Sequence, residues 1–407
     1  MSEDNKLHQA IGPGQMAFYA AGSMLGAGIY GLIGQAAGLS GNAIWLSFMV
    51  ALVAALLTGL SYASLGSRYP KAGGTAYILE RAFKSPRTGF VVGLMLLASA
   101  TIGIPTLSLV FARNLSDMFG ISDSLIPAIA IVYLLALGGI IFRGIRESVW
   151  VNTACCIIEA TGLLIVIATG ISFWGSVDYM EAPPVASPAL GLDPLVIAVM
   201  SSTVLTFFAF VGFEDTLNLA EECRDPQRTL PRGIIAAMAI VAVLYICVAI
   251  TAVSVVPWQD LADSKSPLTD VIRVAAPHIP PKLFSTIALF SITNTVLVNY
   301  VTASRLLYGM AHQGLLPRIL GEVHIGRRTP HIAVFVLFVM FLPAAIFGTI
   351  SQLATAATLL LLTVFILMNV SLVILQKRKG EAKGKFEVPA AVPMGGAVVC
   401  VILIIAR

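Results

Sequence analysis

The chain has 407 residues, of which 57% are hydrophobic and only 11% charged, with a formal net charge of +4. A water-soluble domain carries about 25% charged residues, so this chain cannot cover itself with a polar surface, and a soluble fold is excluded. The long apolar runs place its outer surface in lipid, where roughly 20 residues are needed to cross a hydrocarbon core about 30 Å thick.

In chain order the apolar runs predict membrane spans near residues 14–37, 43–65, 88–112, 125–142, 149–174, 194–220, 233–256, 283–308, 331–349, 352–375 and 388–406. The polar opening "MSEDNKLHQAIGP" has no cleavable signal pattern. Span 1 contains "GSMLGAGIY", Gly22 to Tyr30, with three glycines close together, each costing roughly 1 kcal/mol against alanine in a helix interior. Taken alone, Gly22 and Gly26 favour a close-packing GxxxG face. The other reading is a break, in which Ser23 and the freed backbone N–H groups of Gly26, Ala27 and Gly28 cradle a carboxylate at a half-helix N-terminus.

After span 2, the 66–87 loop carries Pro70 and the Gly73-Gly74 pair and predicts a turn followed by a short amphipathic helix. Span 5 holds Glu159 near mid-membrane. A charge there costs a few kcal/mol, so Glu159 should carry a proton part of the time, either as an ion-coupling group or as a permanently neutral hydrogen-bonded acid.

Span 6 holds "FFAFVGFED", Phe207 to Asp215, with a glycine and two acids at mid-span. Here an unwound backbone would aim the carbonyls of Phe208, Ala209 and Val211 at an ammonium group. Phe207 and Phe210 either face lipid or gate the site, and Glu214 offers contact to a cationic substrate. Carboxylate donors on one broken span and ammonium acceptors on another describe an α-amino acid. Glu221 and Glu222 close the span, where acids oppose the helix dipole; a cytosolic latch is expected, with Arg224 or arginines of neighbouring cytosolic loops as partners. Residues 257–282 predict short helices over the outer face, and span 8 runs past bilayer length.

Five spans separate the two interrupted segments, and five is odd, so a tandem block of five must be inverted. This predicts inverted repeats over residues 1–175 and 190–376, with an eleventh span over 386–407. Orientation follows from basic residues. With the N-terminus in the cytosol, only Arg113, Lys265, Arg273, Lys282 and Arg407 lie outside, leaving the other 20 of the 25 inside. Trp45, Trp150, Trp174 and Trp258 all fall at span ends, as an aromatic belt requires. No cysteine falls in an outer loop, no histidine lies at mid-span, and "GSMLGAG" neither follows a strand nor precedes Gly-Lys-Ser/Thr. A disulfide framework, a histidine relay and a phosphate loop are therefore not expected.

Four stretches, "GSMLGAGIYGLIG", "YPKAGGTAYILERAF", "FFAFVGFEDTLNLAEECRDPQRTLPRGI" and "TASRLLYGMAHQGLLP", occur in an order that resembles the amino acid–polyamine–organocation (APC) transporters. The resemblance covers nearly the whole chain. It implies an all-α polytopic membrane protein with the LeuT-type 5+5 inverted repeat, a broken first helix in each repeat, and at least one extra C-terminal span. The family's usual twelve spans imply one more after Arg407. It also implies a substrate carboxylate held by Ser23 and Gly26 to Gly28, and an amine held by the carbonyls of Phe208, Ala209 and Val211. Glu159 is similar in position to a span 5 lysine that stands in for a sodium ion in a proton-coupled relative. Glu214, in Gly212-Phe213-Glu214, matches a glutamate of arginine/agmatine and putrescine exchangers.

The expected function is secondary active transport of amino acids across the cytoplasmic (inner, plasma) membrane by alternating access, with protons preferred over sodium, or by exchange. The alternative is a carrier of cationic amino acids or polyamines. The partners are the small-molecule substrate, protons and the bilayer, with no nucleic acid, in a monomer or homodimer. No catalytic residue, cofactor or metal is called for.

Overall fold

The structure is a computed structural model that describes residues 7–184, 193–264, 266–347 and 351–405. It is all-helical. Its long helices are α1 (Pro13–Ser40), α2 (Ile44–Arg68), α4 (Pro86–Phe119), α5 (Ile126–Arg143), α6 (Ile145–Gly170), α7 (Pro194–Ala209), α8 (Pro226–Val255), α11 (Pro281–His312), α12 (His331–Phe347), α13 (Ser351–Lys377) and α14 (Ala391–Ile405). Short helices α3 (Gly74–Phe83), α9 (Trp258–Asp263) and α10 (Pro267–Ala275) lie in the connections. A 3-10 segment, Phe213–Glu222, continues the line of α7. Among the described residues the one β feature is an isolated parallel bridge between Ile11 and Cys223.

Eight helical stretches among the described residues are long and apolar enough to cross a membrane, the first running from Leu32 through a single 3-10 turn to Arg68. His331–Ile346 and Ala391–Ile405 are shorter apolar helices. At 32 residues, α11 extends about 48 Å at 1.5 Å per residue and overshoots the hydrocarbon, as its sequence predicts.

Two packing groups emerge. Helices α1, α2, α7 and α8 pack most extensively on one another, whereas α4, α5, α6, α11 and α12 form a second set. Lipid tails are as apolar as leucine, so close approach has to hold such helices together. Small residues permit it: a Cβ on Gly59 of α2 would lie 2.5 Å from the Met238 sulfur of α8, and one on Gly233 of α8 would lie 2.4 Å from Met16 of α1. Large apolar side chains such as Val132, Val243 and Phe335 stay exposed on the outside, as expected where the solvent is lipid.

The two rims are built differently. On the rim carrying α3, the connection between α13 and α14 folds back over the α2–α3 turn. Arg68 pairs with Glu387 at 2.5 Å, and Glu381 accepts from Arg81 at 2.7 Å, Tyr69 at 2.8 Å and Arg378 at 3.3 Å. On the opposite rim, α9 and α10 lie against α1, and indole N–H groups tie connections together: Trp45 donates to the Tyr179 carbonyl and Trp174 to the Thr251 hydroxyl.

Candidate functional site

The helix of α1 is interrupted at Gly26, whose φ of −24° and ψ of −167° are not helical. In an unbroken helix the carbonyls of Gly22 and Met24 would accept from the amides of Gly26 and Gly28. Side chains from other helices reach these carbonyls. Asn294 of α11 donates to the Gly22 carbonyl at 3.0 Å, and Tyr245 of α8 donates to the Met24 carbonyl at 2.7 Å. Close packing and interruption coexist, because a Cβ on Gly26 would fall 2.2 Å from the Thr295 hydroxyl of α11. Ala27 and Gly28 belong to α1, but their placement beyond that lies outside the described residues.

The second interruption follows α7. Phe210 N–H donates to the Phe207 carbonyl and Val211 N–H to the Phe208 carbonyl, a tight turn at 3.0 and 3.1 Å. Gly212 follows with φ +132°, a conformation that side chains rarely adopt. The freed Gly212 N–H is taken by the Glu214 carboxylate at 2.8 Å. Of the three carbonyls expected to receive an amine, that of Phe208 is thus already engaged by Val211, while Ala209 closes α7 beside it. Phe207 and Phe210 are buried and face protein, not lipid. Phe210 packs against Phe48 and Tyr245, and Phe207 against Phe365.

The two interruptions touch. A Cβ on Gly212 would lie 2.7 Å from the carbonyl carbon and oxygen of Ser23, so only glycine allows this approach. Ser23 Oγ donates to Asp215 Oδ2 at 2.7 Å, joining α1 to the 3-10 segment across 192 positions of sequence. Asp215 is therefore part of this junction, and its proximity to Ser23 is what span-by-span reading does not disclose.

Glu159 of α6 is fully buried one layer away. Ser291 donates to its Oε1 at 2.5 Å and Asn294 to its Oε2 at 3.4 Å, while Tyr30 of α1 donates to its backbone carbonyl at 3.2 Å. Asn152 of α6 donates to Asn294 Oδ1 at 2.6 Å. The same Asn294 thus contacts both Glu159 and the carbonyl of Gly22 beside the α1 break. Among the described residues no lysine or arginine pairs with Glu159.

Glu222 is as deeply buried but has a cation. Its partner is Arg305 of α11, with both nitrogen–oxygen contacts near 3 Å and both side chains sealed from solvent. Arg305, a residue within α11, takes the place of the expected Arg224 or loop arginines, because the 3-10 segment packs against α11. Glu221 faces the rim and meets Tyr308 at 3.5 Å. Main-chain bonds from Ile11 N–H to the Glu222 carbonyl and from Arg224 N–H to the Ile11 carbonyl tie the start of α1 to the same point.

Two cavities lie on opposite sides of this core. One of about 780 Å³ opens on the α3 rim, lined by Lys71, Glu221, Tyr308 and Arg328 among others. One of about 600 Å³ opens on the α10 rim and reaches Tyr30 and Ser291. The described lining of neither includes Ser23, Gly26 or Gly212.

Two interrupted membrane helices meeting at mid-protein between opposed cavities define a membrane transporter, since backbone off the helical ladder at membrane depth survives only when buried or lining a cavity. The chain belongs to the amino acid permease family, whose profile matches residues 11–406. It is 25% identical to the branched-chain amino acid permease BcaP of Bacillus subtilis over 99% of this chain and 89% of that protein. It is 26% identical to the methylthioribose transporter of the same organism, over 98% of this chain and 88% of that protein. The vacuolar cationic amino acid transporter 2 of Arabidopsis thaliana is 28% identical over 92% of this chain and 61% of its own length. The protein is thus a multi-pass membrane permease of the amino acid transporter type, not an enzyme.

Proposed function

We propose that this permease is a secondary carrier that binds the head group of an α-amino acid where the α1 and α7 interruptions meet, and moves it by alternating access. The observation that carries this reading is the contact of Gly212 on Ser23, which brings both interruptions to one point. The substrate carboxylate is assigned to Ser23 and the backbone around Gly26, Ala27 and Gly28, and the ammonium to the carbonyls of Phe208, Ala209 and Val211. Loading then requires Ser23 to turn from Asp215 to the substrate and Val211 to release the Phe208 carbonyl.

Phe207 and Phe210 are assigned to the closure above the site, and Glu221 and Glu222 to a latch on the α3 rim. Glu159 is assigned to proton coupling, because a buried acid served only by neutral donors is not obliged to stay ionised. The set α1, α2, α7 and α8 would move against the set containing α11. Residues 1–175 and 190–376 would be inverted repeats, with the N-terminus in the cytosol and the protein in the plasma membrane, as the basic-residue bias indicates.

Uptake into proteoliposomes tests this with labelled leucine, arginine, glutamate and putrescine, with and without an inward proton gradient. Leucine is expected to enter faster with the gradient, and absence of uptake or exchange for every compound would sink the proposal. The cationic reading has its own support in Asp215 and Glu214, two acids at the junction without an ion-pair partner among the described residues. Arginine or putrescine uptake lost selectively in Glu214→Gln would favour it.

A further inference from the structure

An acid that carries a coupling proton has to exchange it with water on at least one side, and the packing around Glu159 is unequal. Toward the junction it is closed by Asn294, Asn152 and the Gly22 carbonyl. The titratable side chains near it are Tyr30 from α1, Tyr245 from α8 and Cys155 and Cys156 of its own helix. Toward the α10 rim the surroundings change. The 600 Å³ cavity is bordered at its mouth by Asn114 and Asp117 of α4 and by Lys282 and Ser285 of α11, and it extends to Ser291. Ser291 is 1% exposed, and its hydroxyl donates to Glu159 Oε1. One hydroxyl therefore separates a cavity that carries polar and charged side chains from the buried carboxyl.

We propose that this cavity is the proton entry of Glu159, with Ser291 as its relay, on a path separate from that of the substrate. The proposal rests on the coupling role assigned to Glu159 above. The transfer balances: Ser291 Oγ accepts a proton from a hydronium ion in the cavity while its own proton passes to the ionised Glu159 Oε1. Two O–H bonds break, on the hydronium and the serine, and two form, on the serine and the glutamic acid; a neutral water is left in the cavity and no charge remains on the serine. The separation from substrate follows from the lining, which holds Tyr30 and Ser291 but not Ser23, Gly26 or Gly212.

Ser285→Cys places a thiol at the mouth, away from both the junction and Glu159. Four of the five native cysteines are buried, so the parent protein serves as the control for a membrane-impermeant cationic thiosulfonate applied to proteoliposomes from the α10 side. With labelled leucine and arginine as probes, modification is expected to slow gradient-driven uptake at least fivefold and to leave substrate-for-substrate counterflow at equal pH within twofold. Ser291→Ala should show the same split, and Ser291→Thr, which restores the hydroxyl, should reverse it. A readout that needs no substrate is the infrared carbonyl band of protonated Glu159, identified by its loss in Glu159→Gln. Its hydrogen–deuterium exchange should slow in Ser291→Ala and in the modified Ser285→Cys. Gradient-driven uptake and exchange both indifferent to these changes, or counterflow blocked together with uptake, would overturn the route alone. Uptake by the parent that ignores the gradient, with no protonated Glu159 band, would overturn the coupling assignment and the route with it.

Discussion

Glu222 and Glu159 are both withdrawn completely from solvent, yet their surroundings differ in kind. Glu222 holds Arg305 through paired contacts, so its charge has a permanent counterion and the pair acts as a clamp between the 3-10 segment and α11. Glu159 meets only a hydroxyl and an amide at its carboxyl, which hydrogen-bond it whether or not it is ionised. Burial alone therefore does not separate the latch proposed for Glu222 from the proton carrier proposed for Glu159; a fixed opposite charge beside one and not the other is what separates them.

The largest effect is expected from stranding one member of the clamp. Arg305→Ala leaves Glu222 buried without its cation and should destabilise the protein by about 3–5 kcal/mol, read as a lowered thermal midpoint in detergent. The double variant Arg305→Met/Glu222→Leu should recover most of that loss. An Arg305→Ala protein as stable as its parent would remove the clamp from this comparison.

Next in size, Gly212→Ala strikes the junction that lies between the two glutamates. Its Cβ would clash with Ser23, and its φ is unavailable to alanine at low cost. Uptake should fall at least tenfold, about 1.4 kcal/mol in a rate or affinity, in protein that still elutes as a folded species. Normal uptake would mean that the two interruptions need not approach so closely.

Glu159→Gln should change stability by less than about 1 kcal/mol, since neutral donors lose no ion pair. It should nonetheless flatten the dependence of uptake on external acidity that the proposed coupling requires of the parent. Retention of the parent's pH profile would break the contrast between the two acids.

The smallest effect belongs to a third acid, on the rim. Burial works against the charge of Glu381, but hydrogen bonds from Tyr69, Arg81 and Arg378 hold its carboxyl below the usual carboxylate range. A carboxyl whose pKa is lower when folded stabilises above the unfolded value of about 4.3 and loses that contribution as pH falls through the folded value. Glu381→Gln should therefore cost about 1 kcal/mol or less near neutrality, and the difference from the parent should vanish in strong acid. A difference that persists there would assign the effect to packing.

Much of the fold is legible in the sequence because its signals are local. Apolar run length marks the spans; Gly212 marks the second interruption through a conformation that glycine accepts readily, and Gly26 the first through an approach to Thr295 that leaves no room for a side chain. The candidate site is legible only in part. Ser23 and Asp215 are 192 residues apart, Glu159 and Ser291 are 132, and Glu222 and Arg305 are 83. Helical periodicity tells which face a residue occupies but not which helix lies opposite, so nothing in the sequence matches Arg305 to Glu222. The backbone substitutes Asn294 and Tyr245 were hidden for the same reason. Each is an ordinary polar residue in its own helix and gains meaning from the α1 carbonyl it meets.

The short bridge at Ile11 has a mechanical consequence. It fastens the residues leading into α1 to the far end of the 3-10 segment, on the same rim and on the same side of both interruptions. The start of α1 and the 3-10 segment are thereby yoked on the side of Gly26 and Gly212 that faces the α3 rim. In the alternating access proposed above, the two segments are therefore expected to swing together and to contribute one degree of freedom instead of two.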